Sequence, residues 1–103
     1  MSERDYTNEA QQRVMKITMA LGGAMFHGLS NGELAKLLDT TPSNIVRDLW
    51  NMKKGGFVDQ IAETGRWRLG VRPVQVYRAF TLEMQQLRTK ADELEQRYTR
   101  LPD

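Results

Sequence analysis

A mainly α fold with one small β-hairpin, a winged helix-turn-helix followed by a long C-terminal coiled-coil-like helix, is what this chain of 103 residues predicts. Three observations lead there. Two helices with good start signals are separated only by Asp39-Thr40-Thr41. A pair of short extended runs closes around Glu63-Thr64-Gly65. From Tyr77 to Leu101, apolar residues then recur with a strict seven-residue period. The organisation expected is a winged helix-turn-helix domain over 1–73 and a dimerisation helix over 74–103.

Residues 1–8 are polar and expected to fray. From Glu9, the set Val14, Ile17, Leu21, Ala24 recurs at spacings of three and four, the mark of an amphipathic helix; Gly22, Gly23 and then His27-Gly28 end it. The stretch SNGELAKLLD opens with a capping box, Ser30 with Glu33, and predicts a short helix from Asn31 to Leu38. Its apolar face is expected to carry Leu34, Leu37 and Leu38.

After the tight turn, Thr41 is a good N-cap and Pro42 belongs at the first helical position, where its missing N–H costs nothing. Ile45, Leu49 and Met52, with Val46 beside them, line the face predicted to be buried. Lys53 and Lys54 complement the helix dipole at the end, and Gly55-Gly56 stops the helix. Phe57 to Ala62 and Arg66 to Leu69 read as the two strands of a hairpin. Phe57, Ile61, Trp67 and Leu69 are expected on its apolar face, with Arg66 and Arg68 on the other. Gly70 and Pro73 are expected to break the chain before the last helix, from Val74 to Leu101.

In that helix Tyr77, Met84, Ala91 and Tyr98 occupy one heptad position, and Phe80, Leu87, Leu94 and Leu101 the other. A repeat held over four heptads favours a coiled coil, hence a homodimer. The alternative folds the stripe back onto the first helix.

Apolar content of 40% and charged content of 27% describe an ordinary folded protein. With no cysteine, disulfides, thiolate zinc sites and cysteine nucleophiles are excluded. The stretch Met15 to Phe26 is too short to span a bilayer and follows polar residues that do not suit a signal peptide, so a cytoplasmic location without membrane contact is expected. No phosphate loop, metal-ligand spacing or nucleophile–base arrangement is present, and His27 has no second ligand nearby in the sequence. No enzyme activity, cofactor or metal is expected.

Net charge is only +2, but residues 41–68 carry five basic side chains (Arg47, Lys53, Lys54, Arg66, Arg68) against Asp48, Asp59 and Glu63. Packing the second helix of the pair through Ile45, Leu49 and Met52 leaves Ser43, Asn44, Arg47, Trp50, Asn51 and Lys54 outside. That is the set a major-groove face requires. Arg47 can donate two hydrogen bonds to guanine, the amides of Asn44 or Asn51 can pair with adenine, and Thr41, Ser43 and the free N–H groups at the helix start suit a phosphate. Arg66 and Arg68 would lie beside the DNA backbone or in the minor groove. Pairing of Arg47 with Asp48 or Glu63 is the bland alternative, and Trp50 is equally suited to packing against the wing or touching a partner.

The run SNGELAKLLDTTPSNIVRDLWNMKKGGFVDQIAETGRWRLG resembles the amino-terminal DNA-binding domain of IclR-type transcriptional regulators. The likeness rests on Ser43, Asn44, Ile45 and Arg47 in the second helix, on Gly56-Phe57-Val58 after it, and on the closing run Gly65 to Gly70. It implies that Ser43, Asn44 and Arg47 read double-stranded DNA. Departures are Asp48 in place of the usual Leu, Gly55 in place of a helix former, and a heptad helix where the family carries an effector domain. The resemblance therefore implies a stripped-down, dimeric transcription regulator of a size common on phages and other mobile elements, with no inducer carried over. A second function class is kept beside it: a winged-helix interaction module in a replication, transposition or host-inhibition assembly, using Trp50 and the coiled coil.

Overall fold

In the computed structural model, which describes residues 3–102, the element order is α1 (Glu9–Gly22), α2 (Asn31–Leu37), α3 (Pro42–Lys54), β1 (Val58–Gln60), β2 (Trp67–Leu69) and α4 (Val71–Thr99). The chain packs as two units, one through Pro73 and one from Val74. Of the eight residues expected to fray, the first two lie outside the described residues. The rest are non-helical, and Asp5 accepts from both the N–H and the hydroxyl of Thr7.

The helix starts are local chemistry. Asn8 caps α1 by accepting from the N–H of Gln11, Ser30 caps α2 through Glu33, and Thr41 caps α3 through Asn44. Two of the helices end in the same way. After α3, Gly56 takes φ 77°, its N–H reaches the Lys53 carbonyl, and the Phe57 N–H reaches the Met52 carbonyl at 2.8 Å. This is a Schellman closure around a left-handed residue. After α2 the same pair of bonds forms around Asp39, at φ 52°, with the Asp39 N–H on Lys36 and the Thr40 N–H on Ala35. The turn between α2 and α3 is therefore set by one non-glycine residue in the αL well.

Ile17 and Leu21 of α1, Leu34 and Ala35 of α2, Ile45, Leu49 and Met52 of α3, and Val58 and Trp67 of the hairpin form one buried cluster. Three expectations are corrected here. Leu37 is 66% exposed and Ala35 takes its place, because a seven-residue helix with apolar side chains at 34, 35, 37 and 38 admits two rotational phases. Val46 is likewise exposed, lying about 100° round α3 from Ile45. In the hairpin Phe57 is exposed and Val58 fully buried. The Phe57 N–H is consumed in closing α3, so strand pairing begins one residue later, with Val58 opposite Leu69 and turned into the core. The wing loop has four residues, Ala62 to Gly65, closed by the Ile61 N–H on the Arg66 carbonyl.

A further pairing stabilises the hairpin. Leu29, between α1 and α2, exchanges both backbone hydrogen bonds with Trp67 at 2.8 Å each. Gly28 must be glycine for this to happen: its φ is 69°, and a Cβ there would stand 2.3 Å from the Trp67 carbonyl oxygen.

The last helix begins at Val71 rather than Val74 and ends at Thr99, short of Leu101. Pro73 falls in the first turn, where no intrahelical donor is needed, so it starts the helix instead of breaking the chain. The Arg72 N–H, at the helix start, reaches the Gly56 carbonyl. No residue of α4 is buried; Tyr77, Phe80, Leu87, Ala91, Leu94 and Tyr98 of the heptad stripe are exposed, and Met84 is half-buried. Among the described residues no helix is long and apolar enough to cross a membrane.

Candidate nucleic-acid interface

The outward side of α3 follows from its buried side. With Ile45, Leu49 and Met52 inward, 100° per residue places Ser43, Arg47, Trp50 and Lys54 in one stripe opposite, with Asn44 and Asn51 along its edge. Ser43, Arg47, Trp50, Asn51 and Lys54 are exposed, and Asn44 is half-buried. The stripe is internally braced. The Arg47 guanidinium donates to the Asn44 side-chain oxygen at 3.3 Å, and the Asn44 amide donates to the Thr40 hydroxyl at 3.0 Å. The Asn51 amide donates to the Arg47 carbonyl at 2.9 Å, and the Lys54 ammonium lies 5.1 Å from the centre of the Trp50 ring. The two asparagines expected to read adenine thus each hold an amide N–H in a bond within the helix or its preceding turn. Thr41 is occupied as the cap.

Asp48, weighed from the sequence as a partner for Arg47, is 5% exposed. It accepts from Arg13 of α1 through two contacts, Nε to Oδ2 at 2.5 Å and Nη2 to Oδ1 at 3.1 Å. The carboxylate raises the Arg13 pKa above its ordinary value, chiefly through this hydrogen bonding. The sequence marks each charge as lying on an apolar stripe, though not which charge answers it. Asp48 lies three residues after Ile45 and four before Met52, and Arg13 four before Ile17, so opposite charges fall on both apolar stripes. Its consequence is electrostatic. Asp48 is the one acid of α3, and with it turned inward the exposed surface of the helix carries Arg47, Lys53 and Lys54 and no carboxylate.

The wing differs from expectation. Arg66 is turned to the body of the fold, where its guanidinium donates to the carbonyls of His27 and Gly28 at 3.0 Å each. It also pairs with the Glu33 carboxylate at 2.6 Å. Glu33 is held below the usual carboxylate range by that Arg66 hydrogen bond first and by Ser30 second. Arg66 is therefore a clamp between the hairpin and the segment leading into α2, which corrects its placement on the DNA side of the wing. Arg68 points away from the core, at the position paired with Asp59. His27 lies exposed in the turn after α1, and among the described residues no group of three or more His, Cys, Asp or Glu side chains is arranged to hold a metal ion.

No family model matches the chain, and no curated protein matches it. A solved structure similar to it is the GntR family transcriptional regulator from Listeria monocytogenes, with a TM-score of 0.53 and 20% identity over 93% of this chain and 87% of that one. At that identity the likeness speaks for the fold, a winged helix, and lends no support to the IclR resemblance in particular.

Proposed function

We propose that this protein binds double-stranded DNA as a small transcriptional regulator, with α3 in the major groove and two copies joined through the heptad stripe of α4. One observation carries the reading: burial of Asp48 against Arg13 leaves α3 with an exposed, acid-free stripe containing Ser43, Arg47 and Lys54. Such a face meets the anionic groove without a repulsive charge, and Arg47 has the fork geometry for guanine O6 and N7. The similar GntR family structure is that of a transcriptional regulator, which supports the same class.

Ser43 and the N–H groups at the start of α3 would contact phosphate, and Arg47 would read a base. Asn44 and Asn51 would do so only by exchanging their present amide bonds for base edges. Lys54 and Arg68 would approach the backbone. Arg66 is assigned to the fold instead.

The stripe from Tyr77 to Tyr98, exposed except at Met84, supports a pairing of two copies that would set their α3 helices on half-sites about one helical turn, ~10 bp, or a multiple apart. The Asp48 pairing leaves no acid on the reading face, which favours DNA over a protein surface as its partner. The test is selection of bound sequences from a random duplex library, followed by titration in rising salt. The reading requires an enriched pseudo-palindrome and an affinity that falls steeply with salt. No enrichment, with no duplex binding at low salt, overturns it.

A further inference from the structure

One side chain in the outward stripe of α3 is not explained by reading polar base edges. Trp50 is 62% exposed, and it lies between Arg47 and Lys54, opposite the buried face. Of the stripe residues Ser43, Arg47, Trp50 and Lys54, it is the apolar one. The Lys54 ammonium sits over the indole ring at 5.1 Å, a cation–π contact within the stripe, and most of the Trp50 surface stays open to solvent. An exposed indole on an otherwise polar ridge offers apolar surface that an apolar group of a partner can cover.

In the major groove the apolar group at a base edge is the thymine C5-methyl; the other edge groups there are hydrogen-bond donors and acceptors. Spacing is compatible with this. Trp50 is three residues after Arg47, about 4.5 Å along the helix, against ~3.4 Å for one base-pair step. A helix that sets Arg47 on a guanine therefore brings the indole over the pair one or two steps away.

We infer that Trp50 is a specificity-determining residue that recognises a thymine by its methyl group, one or two steps from the base pair contacted by Arg47, with Lys54 holding the ring in position and carrying its own charge toward the backbone. This rests on the reading of α3 as the duplex-facing helix. The charge of the stripe, cationic at Arg47 and Lys54 with Asp48 withdrawn, favours DNA over a protein surface as the occupant.

The experiment uses the full chain and a duplex obtained by selection. Each thymine of the site is replaced in turn by deoxyuridine, which removes the methyl and leaves the pairing intact. One such replacement, near the guanine whose preference is lost in Arg47→Ala, should weaken wild-type binding by about three- to fivefold, the worth of one buried methyl. Trp50→Ala should bind more weakly and show no difference between thymine and deoxyuridine there, while Trp50→Phe keeps part of the difference. Because Trp50 is exposed, both variants should melt as the wild type does. If no deoxyuridine duplex discriminates, or if Trp50→Ala discriminates as well as wild type, the inference fails while an Arg47→Ala defect leaves the duplex reading standing. Failure of the wild type to bind any duplex overturns both.

Discussion

Arg13 and Asp48, thirty-five residues apart, meet through Nε–Oδ2 at 2.5 Å and Nη2–Oδ1 at 3.1 Å, joining α1 to α3 on the side of α3 away from solvent. The carboxylate is buried beside the face of Ile45, Leu49 and Met52, so the pair reinforces the rotation of α3 that this apolar face sets. Rotation of that helix decides which side chains face outward, and the ion pair in the scaffold keeps the one acid of α3 off that surface.

Removing one partner strands the other. Asp48→Ala is expected to destabilise the fold by about 1–3 kcal/mol, at the lower end for a buried pair because Arg13 retains 16% side-chain exposure. The double variant Arg13→Met with Asp48→Leu should recover most of that loss, since packed apolar side chains of similar size often replace an ion pair at little cost. Urea melts of the two single variants and the double variant give the coupling energy. Strictly additive losses would show that the pair does not act as a unit.

Arg47 and Arg66 should behave oppositely. Arg47→Ala is expected to weaken binding to the selected duplex by about 1–3 kcal/mol and blur the preference at one position, with melting unchanged. Arg66→Ala is expected to lower the melting temperature, because His27, Gly28 and Glu33 all lose their donor. Titrations and melts of both variants distinguish a reading arginine from a clamping one, and a duplex-specific defect in Arg66→Ala at unchanged stability would reverse its assignment.

The same clamp has a pH signature. The Glu33 carboxyl has a pKa in the folded state below its ordinary value of 4.5, through Arg66 and then Ser30. A depressed folded-state pKa gives stability that is fully present above the unfolded value and is lost as pH falls through the folded value. Wild type and Glu33→Gln should therefore differ in melting temperature near neutral pH and converge as the pH drops below about 4.5. A constant gap down to the acid limit would show that the carboxylate charge is not what the clamp uses.

For the last helix, light scattering at micromolar concentration should give a dimer for the wild type and a monomer for Leu87→Lys with Leu94→Lys. Both leucines are exposed on α4 and share one heptad position, so a lysine at each sets two like charges into the proposed seam. A monomeric wild type removes the pairing from the proposal.

Much of this molecule was legible residue by residue. Ser30 with Glu33, Thr41 with Pro42, and Gly55-Gly56 each mark a helix end by chemistry that acts over three or four residues, and each end stands where those signals put it. Leu37 and Val58 show where local reading stops. An apolar side chain one position off the stripe is compatible with the same helix or strand, and the neighbouring elements choose the phase. Leu29 left no pattern at all, because a bridge of one residue has no period.

The candidate site divides along the same line. Which residues of α3 face outward follows from the 100° step of a helix, and the sequence alone is enough to place Ser43, Arg47 and Lys54 there. That Asp48 turns inward to Arg13, and that Arg66 turns back to Glu33, depends on contacts across more than thirty residues of chain. Capping and periodicity are short-range and survive in the bare sequence. The partner of a charge is fixed only when distant segments close-pack, because burial makes an unpaired ion costly and so selects one arrangement among several that the spacing permits.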